Sequence, residues 1–193
     1  MGVLGISWDQ FTGTDQACKT EAQITSDITQ LISYGYSSIR VYGIECNAVD
    51  IAISACEGTG AKMIAGIFTP TAVESETASF ISQVNGRWDY IEFVTVFNEA
   101  VNDGTATVAQ VEAAVAYVKA RVPNNVQVVA VDTFAAFISN PDLCNVGSSF
   151  IAANCEPYFS AIEASTAGTY VLEQRANVAA ACSVSVSDVL ITG

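Results

Sequence analysis

The regular alternation of strand-like and helix-like segments is the feature that most constrains the fold of this chain. Apolar runs rich in β-branched residues indicate buried strands, and apolar residues three or four apart indicate amphipathic helices. Such alternation with short turns predicts a parallel sheet covered by helices. We predict strands at Val3–Trp8, Ser38–Tyr42, Lys62–Phe68, Tyr90–Phe97, Val126–Val131, Phe150–Ala153 and Asp188–Thr192. We predict helices at Thr20–Tyr34, Ala48–Cys56, Val73–Val84, Thr107–Arg121 and Tyr170–Cys182.

Two parallel architectures fit this alternation. An open doubly wound sheet usually carries a Gly-rich phosphate loop after its first strand, and residues 8–13 do not form one. A (β/α) barrel instead gathers its functional residues just past several different strands. The chain has this second pattern at Trp8, Tyr42, Asn98, Glu99, Asp132 and Tyr158.

We therefore predict an α/β fold of the incomplete (β/α) TIM-like barrel type, built as a single domain over residues 1–193. A full barrel typically takes about 250 residues. The chain is shorter, so we expect about seven strands, with the eighth βα unit missing.

The charge of the chain excludes several classes of partner. The chain contains seven Lys and Arg residues and 20 Asp and Glu residues, which gives a net charge of −13. Such an acidic surface repels phosphate backbones and anionic lipids, and no apolar run reaches the length of a membrane span. We therefore predict no nucleic-acid partner and no membrane partner. Neutral ligands such as carbohydrates remain open.

The chain contains no histidine. This excludes His-based triads and imidazole metal sites, so proton transfer would fall to carboxylates or tyrosines. We predict neither a metal nor an organic cofactor.

The cysteines lack the close paired spacing of a zinc site. Their even number and the acidic, Ser/Thr-rich composition favour a secreted, disulfide-bonded protein; buried thiols in a cytosolic protein are the alternative. The six residues are Cys18, Cys46, Cys56, Cys144, Cys155 and Cys182. We predict that Cys18 pairs with Cys46 and that Cys144 pairs with Cys155. The remaining two, Cys56 and Cys182, should stay unpaired or link two chains.

Glu99 is the strongest candidate for a chemical role. It follows a buried strand directly, and a carboxylate there is costly in a core but useful at the mouth of a barrel. The amide of Asn98 could hold a sugar hydroxyl, and the turn at residues 101–104 would keep Glu99 at the mouth. A helix-capping or surface acid is the alternative.

Three other candidates have alternatives of their own. Asp132 follows an apolar strand, and either contacts a ligand or caps the turn at Thr133. Tyr42 and Tyr158 are either half-buried aromatics or residues that stack on sugars and contact their hydroxyls.

Several segments, in order and over nearly the whole chain, resemble fungal glycoside hydrolase family 17. They are residues 5–8, 39–43, 97–99, 101–104, 131–133, 140–144, 154–155, 157–159 and 189–192. Members of that family are cell-wall β-1,3-glucan hydrolases or glucanosyltransferases with a (β/α) barrel and a retaining mechanism. The resemblance implies that Glu99 is the general acid/base. It also implies that Tyr42 and Asn98 lie next to the scissile bond, and that Asp132 and Tyr158 line the cleft.

The resemblance is incomplete at one position. A retaining mechanism needs a second carboxylate about 5–5.5 Å from the first. The family places that Glu directly after an Ile-Thr pair, whereas Ile191-Thr192 is followed here by Gly193. We therefore expect the family nucleophile to be absent. Glu156 is the nearest substitute, with an ordinary loop acid as the alternative.

These observations predict a secreted, cell-wall β-1,3-glucan-binding protein with weak or absent hydrolysis, whose cleft also includes Trp8. One alternative is an active hydrolase or transglycosylase that uses Glu99 with Glu156, with a partner's carboxylate, or in an inverting scheme. The other is an interaction or immune-active protein on a glycosidase scaffold. Unpaired barrel edges predict a homodimer. Because residues 2–6 already resemble a strand, we expect Met1 to be a start residue added to a mature sequence.

Overall fold

A computed structural model describes residues 5–13, 16–147 and 149–192. The strands are β1 Gly5–Trp8, β2 Phe11–Thr12, β3 Ala17–Cys18, β4 Ser38–Val41, β5 Lys62–Ile67, β6 Ile91–Val96, β7 Gln127–Thr133, β8 Ile151–Asn154 and β9 Val189–Ile191. The α-helices are α1 Glu21–Ser33, α2 Ala48–Cys56, α3 Val73–Val84, α4 Val108–Lys119, α5 Phe134–Ser139 and α6 Ala167–Ala181. Short 3₁₀ helices lie at Glu45–Asn47, Trp88–Tyr90, Pro141–Asn145 and Val186–Asp188.

Seven strands form one parallel sheet whose spatial order follows the chain, β1-β4-β5-β6-β7-β8-β9. A doubly wound sheet would reverse its order at a switch point, whereas a (β/α) barrel keeps the chain order. The predicted fold class, an incomplete (β/α) barrel with about seven strands, is confirmed. The sheet has no eighth strand within the described ranges. The remaining two strands, β2 and β3, form a separate antiparallel pair.

The chain divides into two compact units. The first comprises Met1–Thr95 with Tyr117–Gln127, and the second comprises Val96–Ala116 with Val128–Gly193. The prediction of a single domain over residues 1–193 stays a prediction.

In the first unit, β1 pairs with β4 and β4 pairs with β5, with Gly5 opposite Ser38 and Ser38 opposite Lys62. Helix α1 begins at a capping box. The Thr20 hydroxyl accepts the Gln23 N–H, and the Gln23 side chain accepts the Thr20 N–H. Helix α1 packs on α2, and α2 packs on α3.

In the second unit, β7 pairs with β8 and β8 pairs with β9, while α5 packs on α6. Phe137 of α5 and Leu143 are almost fully buried there. Gly147 has a φ of +108°, and a Cβ at this position would lie 2.9 Å from the Val128 carbonyl oxygen. Glycine is therefore required where this loop crosses β7.

The predicted elements agree with the structure, and helices α2 and α3 have the predicted ends. Of the predicted strand Val3–Trp8, the first two residues lie outside the described residues, as does Gly193. No pattern in the sequence predicts the β2–β3 pair, because two-residue strands show no periodicity. Helix α5 was also missed, because six residues are too few to show a helical period.

The disulfide prediction was correct for one pair and wrong for the other. Cys18 is bonded to Cys46, as expected. Cys144 is bonded to Cys182 and not to Cys155. The reason is that Cys144 follows α5, which packs on α6, and Cys182 caps the end of α6. Cys155, directly after β8, and Cys56 in α2 are buried thiols. Burial raises the pKa of Cys56 to about 11 and also raises the pKa of Cys155.

We expect the native protein to react slowly with a thiol reagent such as Ellman's reagent, because the two thiols are buried and protonated. After unfolding without a reductant, two thiols per chain should react. Peptide mapping should then recover Cys18–Cys46 and Cys144–Cys182. A Cys144–Cys155 peptide, or four reactive thiols, would contradict the structure.

Candidate functional site

Glu99 lies in an unusual backbone segment just after β6. Phe97 has a φ of +61° and Glu99 a φ of +59°, a conformation that non-glycine residues rarely adopt. The Glu99 N–H donates to the Val131 carbonyl oxygen of β7 at 3.0 Å, and the Glu99 carbonyl oxygen accepts the Asp103 N–H at 2.9 Å. Glu99 is thus fixed at the end of the strand and remains partly exposed.

The carboxylate of Asp132 holds the turn that follows Glu99. Asp132 is 2% exposed, and it accepts the N–H groups of Val101 at 2.9 Å, Asn102 at 3.2 Å and Thr133 at 2.8 Å. Burial raises the pKa of Asp132, and the three N–H donors oppose that effect, while the charge of Glu99 adds to it. These contacts match the alternative in which Asp132 caps the turn at Thr133. The same carboxylate also caps the turn that begins at Val101.

Asn154, the last residue of β8, was missed as a site residue. Its side-chain Nδ2 donates to Glu99 Oε1 at 2.7 Å and to Asn98 Oδ1 at 3.0 Å. Its Oδ1 accepts the hydroxyl of Thr192, just past β9, at 2.7 Å. A signal was present in the sequence, because Asn154 follows the predicted strand Phe150–Ala153 in the same way as Asp132 follows the predicted strand Val126–Val131.

A cleft of about 460 Å³ opens beside these residues. Two of the predicted acids, Glu99 and Glu156, are among its lining residues. Its lining consists of Glu99, Asn102, Thr133, Phe134, Ala135, Asn154, Glu156, Phe159 and Ser160. The cleft therefore combines carboxylates, amides, hydroxyls and aromatic rings within the second unit.

An exposed aromatic pair extends the apolar part of this region. Tyr158 and Phe159 are 84% and 79% exposed, and their rings meet edge to face with centroids 5.4 Å apart. Phe134 meets Tyr170 edge to face at 6.1 Å. Large aromatic residues this exposed are unusual on a protein surface and often mark a contact surface.

The other two predicted residues belong to the first unit. Trp8 is buried, and its indole N–H donates to Asp27 Oδ2 at 3.1 Å. Lys19 lies 4.8 Å from the Trp8 ring centroid and 2.8 Å from Asp27, so Trp8 packs within this polar cluster. Tyr42 is half-buried, and the Arg40 guanidinium lies 4.4 Å from its ring centroid.

Two features are absent from the residues that the structure describes. In those residues, no three His, Cys, Asp or Glu side chains come together in a way that could hold a metal ion. Nor do the same residues include a helix of the length and apolarity needed to cross a membrane.

Residues 5–193 match the family model of the BtgE/BtgC glycoside hydrolase domain. The chain belongs to this family. This match and the relatives that follow together confirm the resemblance to fungal glycoside hydrolase family 17. This glycoside hydrolase domain is 38% identical to the "Probable family 17 glucosidase SCW10" of Saccharomyces cerevisiae, over 99% of the chain and 49% of the relative. It is 36% identical to the "Cell surface mannoprotein MP65" of Candida albicans, over 99% of the chain and 50% of the relative.

The glycoside hydrolase domain therefore spans about half the length of these curated relatives. Among solved structures it resembles an active-site mutant of Rhizomucor miehei β-1,3-glucanosyltransferase in complex with laminaritriose. The TM-score is 0.77 at 18% identity, over 93% of this chain and 66% of the other. At this identity the likeness establishes the fold.

We expect Asp132→Ala to destabilise the domain by about 3 kcal/mol, because it leaves buried N–H donors without an acceptor. Asp132→Asn should lose less stability, since the amide oxygen of Asn still accepts some of the hydrogen bonds from these N–H donors. Urea unfolding of both variants measures the difference, and equal losses would contradict this assignment.

The difference in stability between the wild type and Asp132→Asn should depend on pH. The pKa of Asp132 in the folded state lies above the value of 3.8 for an unperturbed Asp. Between these two pKa values, the folded state therefore binds more protons than the unfolded state. Stability from this group is therefore greatest below 3.8 and falls as pH rises through the folded pKa. The stability advantage of the wild type over Asp132→Asn should shrink as pH rises from about 4 to about 7.

Proposed function

We propose that this chain is a secreted domain that binds β-1,3-glucan oligosaccharides in the cleft around Glu99. The observation that carries the proposal is the grouping of Glu99, Asn98 and Asn154 beside a cleft that is lined by aromatic rings. The names of a family 17 glucosidase and of a β-1,3-glucanosyltransferase among similar proteins support the choice of glucan.

The chemistry of the cleft suits a neutral sugar. A glucosyl ring offers hydroxyl groups at its edge and apolar C–H groups on its faces. Glu99 and Asn102 can pair with the hydroxyls, while Phe159 and the exposed ring of Tyr158 can pack on a face. A net charge of −13 does not repel an uncharged ligand.

The predicted roles remain part of this proposal. Glu99 would be the acid/base in an active protein, with Asn98 next to the scissile bond and Tyr158 along the cleft. The role that the family resemblance implies for Tyr42, which belongs to the first unit, stays a prediction. The polar atoms of Trp8 and Asp132 have hydrogen-bond partners within the protein. We therefore propose that these two residues support the neighbouring segments of the chain.

Hydrolysis is the second candidate, favoured by one observation. Glu156 lines the same cleft as Glu99, so the region contains two carboxylates. Two carboxyls about 5–5.5 Å apart suit a retaining mechanism, and a separation of about 6.5–9.5 Å suits an inverting one. Because the chain spans about half of its relatives, the activity of a longer protein is a separate proposal.

Location and assembly complete the proposal. One relative is named a cell-surface mannoprotein, and the two disulfides fit an oxidising compartment, so we propose a secreted, cell-wall location. The homodimer stays a prediction.

Calorimetric titration with laminari-oligosaccharides tests the binding proposal. We expect Tyr158→Ala to weaken binding by about 3- to 10-fold, the scale of one lost ring contact. Tyr34→Ala is the matched control, because Tyr34 is another exposed tyrosine (66%) and caps the C-terminal end of α1, outside the cleft lining. No heat and no thermal protection of the wild type would reject glucan binding and favour the interaction-protein alternative.

Reducing-end release from laminarin tests hydrolysis. If Glu99 and Glu156 act as a pair, both Glu99→Gln and Glu156→Gln should lower turnover by orders of magnitude. The control is Glu163→Gln, which changes an exposed loop acid outside the cleft lining. Turnover that survives in Glu156→Gln would exclude Glu156 as the second catalytic carboxylate. A wild type without turnover would exclude hydrolysis and leave glucan binding as the proposed function.

A further inference from the structure

We propose that Asn154 and Thr192 are positioning residues that hold Glu99 Oε1 and so present Oε2 to the ligand. The inference deepens the proposed function and rests on it. It starts from one buried amide, Asn154, which contacts Glu99, Asn98 and Thr192 at the same time.

The hydrogen bonds of Asn154 define its orientation. Glu99 Oε1 and Asn98 Oδ1 are both acceptors, so the amide end that faces them must be the NH₂ group. That group has two hydrogens, and both are used. The opposite end, Oδ1, accepts the Thr192 hydroxyl. A flipped amide would place an oxygen against two oxygens, which is unfavourable.

Burial strengthens this arrangement. Asn154 is 3% exposed and Thr192 is 9% exposed, so water competes weakly for either side chain. A hydrogen bond from an amide to a carboxylate in such surroundings is stronger than a neutral bond on the surface. The Thr192 hydroxyl therefore fixes Asn154, and Asn154 fixes the Glu99 carboxylate.

The consequence for Glu99 is a difference between its two oxygens. Oε1 accepts the Asn154 N–H whether Glu99 is ionised or protonated, because an N–H donor needs a lone pair and not a proton. Within the described residues, Oε2 accepts no hydrogen bond, and Glu99 lines the cleft. Oε2 is therefore the atom that accepts a ligand hydroxyl, and the atom that bears the proton if Glu99 acts as an acid.

The same amide also holds Asn98, so both predicted ligand groups depend on one residue. This distinguishes Asn154 from a residue that only fills the core. Its loss should change ligand binding through Glu99 and Asn98 and not only lower the free energy of unfolding.

A ligand-free NMR measurement tests the contact itself. The side-chain ¹H–¹⁵N signals of Asn154 should shift clearly in Glu99→Gln, because one donor loses a charged acceptor. They should shift little in Glu156→Gln, which removes the other acid of the same cleft. Equal shifts in both variants, or none in Glu99→Gln, would overturn the inference.

Binding of laminari-oligosaccharides to the folded variants tests the consequence. Asn154→Ala should weaken binding by about 10-fold, as expected for a displaced polar group. It should have little further effect in a Glu99→Ala background, because its effect passes mainly through Glu99. A merely structural role predicts the same loss in both backgrounds, and that result would overturn the inference.

Thr192 provides a matched pair of substitutions. Thr192→Val keeps the shape of the side chain and removes the hydroxyl, so oligosaccharide binding should weaken. Thr192→Ser keeps the hydroxyl, so this variant should bind the oligosaccharide as tightly as the wild type. Equal binding by the two variants would contradict the role of Thr192. If the wild type binds no oligosaccharide, the proposed function fails, and the NMR measurement still tests the Asn154–Glu99 contact.

Discussion

The three backbone N–H groups that converge on the Asp132 carboxylate are the contact on which the arrangement around Glu99 depends. Residues at positive φ such as Phe97 and Glu99 cost on the order of 1–3 kcal/mol each, and they persist only where the surroundings fix them. Asp132 does this by fastening the turn after Glu99 to β7. The unusual backbone is thus maintained by an acid that is buried and has its own hydrogen-bond partners.

The acids of the second unit consequently differ in what they can do. Asp132 is enclosed by donors, so it is suited to support the backbone. Glu99 has one oxygen held by Asn154 and stays partly exposed at the cleft. Glu156 lines the cleft from the loop after β8, where its position depends on less regular structure. The number and kind of donors around each carboxylate separate these roles better than its position after a strand.

The sequence predicted the strand and helix order well, because each buried face produces a period in the chain. It also singled out Glu99 as a candidate, since an acid directly after an apolar strand is conspicuous, and the chemical role of Glu99 stays a prediction. It did not single out Asn154, because the hydrogen bonds of this residue join Glu99, Asn98 and Thr192, which are distant from it in sequence. The Cys144–Cys182 bond was missed for a similar reason: it depends on the packing of α5 against α6, which no local pattern reports.

The donors around Glu99 and Asp132 share one property that bears on function. In the described residues they are amide or backbone N–H groups, and none is a lysine or arginine. A cation would fix a carboxylate and cancel its charge together, whereas a neutral dipole fixes the geometry and leaves most of the charge in place. A carboxylate held in this way can still attract a sugar hydroxyl, or the positive charge that develops on a sugar ring during glycosidic cleavage. These contacts are therefore compatible with the neutral carbohydrate ligand that we propose for the cleft.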